Sequence, residues 1–148
     1  MTSFLIQVFT GVIGSIGFAL IFNLKKVQIP YIIAGSAIGT AIYLLLYRLT
    51  ESPFLSNMIA SVFCTASAEV LARVRKAPAT LFLIIHIIPL VPGGSLFYSM
   101  RSFILHDHAA FIRYAASTFY TAAGIAVGIL IVTSFVSIVN HYKKPQVR

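Results

Sequence analysis

Apolar residues run through this chain in five long blocks, each closed by a short polar or basic break. A membrane-spanning helix needs about 20 mostly apolar residues. Five stretches meet that length, at about 3–22, 31–49, 54–72, 78–100 and 113–139. The pattern predicts an all-α fold: a polytopic integral membrane bundle of five transmembrane helices, forming one domain over 1–148. The breaks carry their own signals. Asn23-Leu24-Lys25-Lys26 ends the first block, Pro30 opens the second, and Thr50-Glu51-Ser52-Pro53 makes a tight turn into the third. Arg73-Val74-Arg75-Lys76 ends the third, and Pro78 opens the fourth, where a missing N–H is harmless in a first helical turn. The first block has no basic segment before it and no small-residue cleavage pattern after it, so it is expected to be retained as a span.

The fourth block differs from the others because Pro89-Leu90-Val91-Pro92-Gly93-Gly94 interrupts it. Each proline removes a backbone donor and disfavours helix in the residue before it, and the glycines tolerate backbone shapes that other residues resist. The span is therefore expected to break between Pro89 and Gly94. Irregular backbone at membrane depth is tolerated where it is buried in protein or lines a cavity. Broken helices of this kind build substrate sites in secondary transporters, with the N-terminus of a half-helix facing an anionic group. Gly93, Gly94 and Ser95 are expected to begin that half-helix. The competing reading is a proline kink that only shapes packing.

Composition sharpens this picture. The chain is 59% hydrophobic and 9% charged, with a mean hydropathy of +0.95 over 148 residues, whereas soluble domains carry about a quarter charged residues. A net charge of +8, from 11 Lys and Arg against 3 Asp and Glu, raises nucleic acid or an anionic membrane surface as a partner. Its distribution decides between them. Lys25, Lys26, Arg73, Arg75, Lys76, Lys143, Lys144 and Arg148 fall in one set of alternate loops, and only Arg48, Arg101 and Arg113 in the other. Basic residues near span ends are retained on the cytoplasmic side. The expected arrangement is multi-pass in the plasma (inner) membrane, N-terminus outside and C-terminus cytoplasmic, with the lipid bilayer as partner and no nucleic acid.

Candidate chemistry is sparse. The third block carries Asn57, Ser61, Thr65, Glu69 and Arg73 at four-residue spacing, a ridge expected to face the bundle interior and line a polar route. Glu69 and Arg73 have the order that favours an ion pair, and an intramembrane carboxylate is a functional candidate; the alternative is that Glu69 pairs or snorkels at the end of its span. Gly11, Gly14 and Gly17, the pair Gly35 and Gly39, and the pair Gly124 and Gly128 mark faces where helices approach closely or a second protein docks. Cys64 reads as a small buried hydrophobe, and a single cysteine forms no internal disulfide. His86 is either a satisfied interior histidine or a titrating group near a pathway. His106-Asp107-His108 resembles a chelating triplet, but such a loop is usually a solvated face. No nucleophile triad, H-E-x-x-H or phosphate loop occurs, so neither an enzyme nor a cofactor is expected.

The stretch from Ala68 through Arg73, Lys76 and Pro78 to Phe82, continued by Ile87-Ile88-Pro89-Leu90-Val91-Pro92-Gly93-Gly94 and Tyr98, resembles the threonine/serine exporter family. It is similar in particular to the short, five-span subunit of the split form. The matched positions are Arg73, Lys76, Pro78, Pro89, Pro92, Gly93 and Gly94; His86 stands where members often have a small residue, a departure that bears on substrate identity. The resemblance implies a secondary exporter of small polar metabolites, threonine or serine or a C4 dicarboxylate such as succinate, driven by an ion gradient. It also implies a longer membrane subunit as partner. The alternative is a structural or assembly subunit whose partner carries the whole pathway.

Overall fold

The computed structural model describes residues 2–143, with side chains from Phe4 to Tyr142. Lys144 and Arg148 of the basic tail lie outside the described residues, as does the side chain of Lys143. Six α-helices follow one another: α1 (Thr2–Ile21), α2 (Ile29–Thr50), α3 (Pro53–Arg75), α4 (Ala79–Ile87), α5 (Gly93–Ile104) and α6 (His108–Lys143). Single 3-10 turns cover Lys26–Gln28 and Ile88–Leu90, and no strand occurs among the described residues. Four helices, α1, α2, α3 and α6, are long and apolar enough to cross a membrane. The pair α4 and α5, bent by 53° at its break, adds a fifth when its two halves are taken as one span.

Local chemistry fixes several boundaries. Ser52 caps α3 by accepting from the Leu55 N–H at 3.4 Å, with Pro53 in the first turn, the position where its missing donor costs nothing. Asp107 caps α6 by accepting from the Ala110 N–H at 3.0 Å. That cap draws His108 into α6, and because Arg101–Ile104 belong to α5, only Leu105–Asp107 lie between the two helices. Asn23, Glu51, Lys76 and His106 adopt left-handed conformations, with φ between 50° and 56°, just beyond the ends of α1, α2, α3 and α5.

α3 is the hub of the bundle and packs against α2, α4 and α6, while α1 lies on α2 and α5 on the first half of α6. Glycines set the closest approaches. A Cβ at Gly124 would meet the Phe54 backbone, and one at Gly128 would meet Ser61 Oγ and the Met58 carbonyl. Together with Arg73, whose Nη2 donates to Asn140 Oδ1 at 3.4 Å, these contacts show that α3 and α6 run parallel. Arg73 thus turns to α6 and not to Glu69. On α2, Gly35 and Gly39 receive the His86 ring and the Cys64 sulfur. One apolar cluster, Ala19, Ile32, Ala68, Phe82 and Ile85, joins α1 to α4; a second, Ala60, Cys64, Leu90 and Ile125, joins α3 to α6 and the break.

At the end of α3, Arg75 lies over the Tyr31 ring at 4.1 Å and donates to the Val27 carbonyl at 3.4 Å. The pairing ties the α1–α2 connection to the third span.

Candidate site at the broken span

The break is built from what proline removes. Pro89 has no N–H to offer the Ile85 carbonyl one turn earlier, and lipid supplies no substitute. Ser15 of α1 fills the gap: its hydroxyl donates to that carbonyl at 3.1 Å, with Ser15 fully buried. Cys64 of α3 makes a similar contact, its thiol donating to the His86 carbonyl at 3.6 Å. Side chains from two neighbouring helices therefore seal the end of α4. Neither role was visible in the sequence, because Ser15 lies 70 residues from its acceptor and no local motif joins them.

Beyond Leu90 the chain extends through Val91 and Pro92, and α5 begins at Gly93. The Gly93 N–H folds back on the Val91 carbonyl at 2.8 Å and the Leu96 N–H on Pro92 at 3.0 Å. Among the described residues, the Gly94 and Ser95 N–H groups have no backbone acceptor, and such unpaired donors carry the positive end of a helix dipole. No glycine has a positive φ, so backbone freedom does not explain Gly93 and Gly94. No atom lies within 4 Å of a Cβ built on either. At Gly94 the lack of a side chain leaves open the cavity described next.

That cavity, of about 310 Å³, is lined by Tyr43 and Tyr47 of α2, Pro53 of α3, the segment Pro89–Pro92, Gly94 and Ser95 of α5, and Ser117 and Thr121 of α6. A second cavity, of about 530 Å³, lies between α1 and α2, with Gln7, Thr10 and Thr40 on its wall. Tyr43, Tyr47 and Pro89 border both. The two rings stack with centroids 5.9 Å apart, where the two cavities adjoin. Neither cavity is lined by a Lys, Arg, His, Asp or Glu side chain. The walls offer hydroxyls, one amide and backbone N–H groups: hydrogen bonds without net charge.

Of the residues marked from the sequence, Pro89, Pro92, Gly94 and Ser95 lie on the wall of one cavity, and Gly93 stands next to it. The ridge on α3 is elsewhere. Asn57, Ser61 and Thr65 are buried at 0–1% exposure, and each hydrogen-bonds its own helix, to Pro53, Met58 and Ser61 respectively. Glu69 is half-buried and Arg73 exposed, about 24 Å or more along α3 from Pro53 at 1.5 Å per residue. His86 is fully buried, with Nδ1 3.1 Å from Ser67 Oγ. Tyr43, Tyr47, Ser117 and Thr121 were not singled out in the sequence; their signal was there in two i, i+4 pairs, one on each of two facing helices.

A bundle of membrane helices with one span broken around an uncharged polar cavity has the architecture of a transport protein. The chain belongs to the threonine/serine exporter family: the family model described as "Threonine/Serine exporter, ThrE" matches residues 7–135. No curated protein and no solved structure matches it. It is a multi-pass membrane protein of an exporter family.

Proposed function

We propose that the chain is one subunit of a secondary exporter, working with a longer membrane subunit, and that the cavity at the broken span is a station for its substrate. The observation that carries this reading is the hydroxyl-lined cavity at the break, in a member of an exporter family. Its volume lies at the small end of the range for ligand pockets, about 300–1,000 Å³, which suits a small metabolite. The uncharged lining narrows the class. A dianion at membrane depth needs fixed cations to offset its desolvation, and this chain supplies none there. A zwitterion of zero net charge, such as threonine or serine, can place its carboxylate at the Gly94 and Ser95 N–H groups and its hydroxyl among Ser117, Thr121 and the tyrosines. Threonine or serine is therefore favoured over a C4 dicarboxylate, which would have to draw its cations from the partner.

Gly94→Leu tests this, because Gly94 lines the cavity and a Cβ built on it meets no atom within 4 Å. In cells loaded with threonine or serine and containing both subunits, efflux is expected to fall at least roughly tenfold, equivalent to a loss of about 1.4 kcal/mol, at unchanged protein level. Unaltered efflux would place the pathway in the partner and leave this chain a structural role.

A further inference from the structure

The end of the bundle formed by the α1–α2 and α3–α4 connections is basic. Lys25, Lys26 and Lys76 are exposed there, and Arg75 lies flat over the Tyr31 ring at 4.1 Å. Of the three acidic residues in the chain, Glu51 and Asp107 stand at the opposite end. Glu69 is one turn before Arg73, on the side of α3 from which Arg73 reaches Asn140 of α6. Arg75 carries five N–H donors. Among the described residues its one hydrogen-bond acceptor is the Val27 carbonyl, and its Nε is buried without a partner.

Directly below this arginine a groove of about 380 Å³ runs along the outside of the bundle between α2 and α3. Tyr31 and Ile38 bound it on one helix, Phe63 and Val70 on the other, with the small, exposed Ala34 and Ala66 between them. No charged side chain lines it, and its hydroxyl at Ser67 is already committed to the Cys64 carbonyl at 2.9 Å. Such a wall suits a hydrocarbon occupant. The groove and the basic cluster meet at Tyr31, which lines the first and carries Arg75 on its ring.

We propose that the groove holds one acyl chain of an anionic phospholipid, whose phosphodiester lies at Arg75 with Lys25, Lys26 and Lys76 around it. Length supports a lipid over a helix of another protein. The groove covers Phe63 to Leu71 of α3, about 12 Å, and Arg75 lies about 18 Å from Phe63. One leaflet of a hydrocarbon core about 30 Å thick is about 15 Å deep, so a chain lying in the groove ends at the bilayer midplane and its phosphate reaches the guanidinium. A helix crossing the bilayer calls for a groove along the whole of α2 and α3. Charge selects the headgroup: basic clusters between helix ends attract anionic lipids, whereas the choline of a zwitterionic lipid brings a further cation into the cluster. The transport cavity borders the other end of α2, so this site does not depend on what the chain carries.

The test is native mass spectrometry of the full chain in detergent, with phosphatidylglycerol, phosphatidylcholine of the same acyl chains, or water-soluble glycerol 3-phosphate. One phosphatidylglycerol per chain is expected to stay bound, at a concentration at least roughly tenfold below that needed for phosphatidylcholine. Glycerol 3-phosphate is expected neither to bind nor to compete. Arg75→Gln combined with Lys26→Gln should remove the preference between the two lipids. Ala34→Leu combined with Ala66→Leu, at exposed positions that leave the bundle intact, should weaken both lipids at least about fivefold by filling the groove. Equal binding of the two lipids by the unsubstituted chain would overturn the proposal, as would a preference that survives the loss of Arg75 and Lys26. Competition by glycerol 3-phosphate would make this a site for free phosphate, and lipid binding unchanged by the two leucines would take the acyl chain out of the groove; either result also overturns it. A dimer free of lipid would assign the groove to a second copy, with the same consequence.

Discussion

Gly128→Leu is expected to abolish accumulation of the folded chain, or to cost it more than the ~1–3 kcal/mol usual for an overpacked core. A Cβ at that position meets Ser61 Oγ, the Met58 carbonyl and the Val62 nitrogen. Two of these atoms belong to the α3 backbone, which cannot move aside without carrying the helix with it. The α3–α6 contact is the most extensive in the bundle, and in lipid the close packing that small residues allow stands in for a hydrophobic driving force. Forcing the helices apart therefore removes much of what holds them. Gly17→Leu is the matched control: no atom lies within 4 Å of its Cβ, so a change within about 0.5 kcal/mol is expected. Folded protein in the membrane fraction and thermal unfolding in detergent read both variants.

The second large effect is a coupling. Gly35 of α2 leaves the space that the His86 ring occupies, and a Cβ there would overlap the imidazole. The ring has no exposed side to swing toward and is held at Ser67. Gly35→Ala alone is expected to cost about 1–3 kcal/mol by overpacking. His86→Ala alone is expected to cost about 2–5 kcal/mol, the range for emptying a large buried side chain. The double variant should cost less than the sum by at least about 1 kcal/mol, because the alanine methyl then occupies vacated space. Additive costs in a double-mutant cycle of thermal unfolding would show that the ring and the glycine do not share this notch.

These two cases also show where sequence reading stops. The break at Pro89–Gly94 was legible because proline and glycine act through their own backbone. The helices were legible because 20-residue apolar blocks have few alternatives. The glycine pairs signalled close approach correctly but not what approaches: at Gly35 and Gly39 it is two side chains from other elements, His86 and Cys64. The row Asn57, Ser61 and Thr65 illustrates the same limit. Four-residue spacing defines a face, but not whether a cavity or a neighbouring helix covers it, and here each side chain donates to a carbonyl of α3, leaving the buried Asn57 Oδ1 without a partner among the described residues. The tyrosines and hydroxyls at the cavity converge from helices separated by some 70 residues of sequence. Only the packing of α2 against α3, and of α3 against α6, brings them together. The start of α6 was missed for a local reason: the Asp107 cap outweighed the polar look of the segment.

The central claim is that a small polar metabolite occupies the cavity at the broken span. Ser117→Cys places a thiol on its wall, and Cys64, fully buried, does not compete for reagent. In membranes containing this chain and the longer subunit proposed for it, the account predicts that threonine or serine slows maleimide modification of that thiol in a saturable way, and that succinate slows it less. A rate unchanged at every concentration of all three would contradict it.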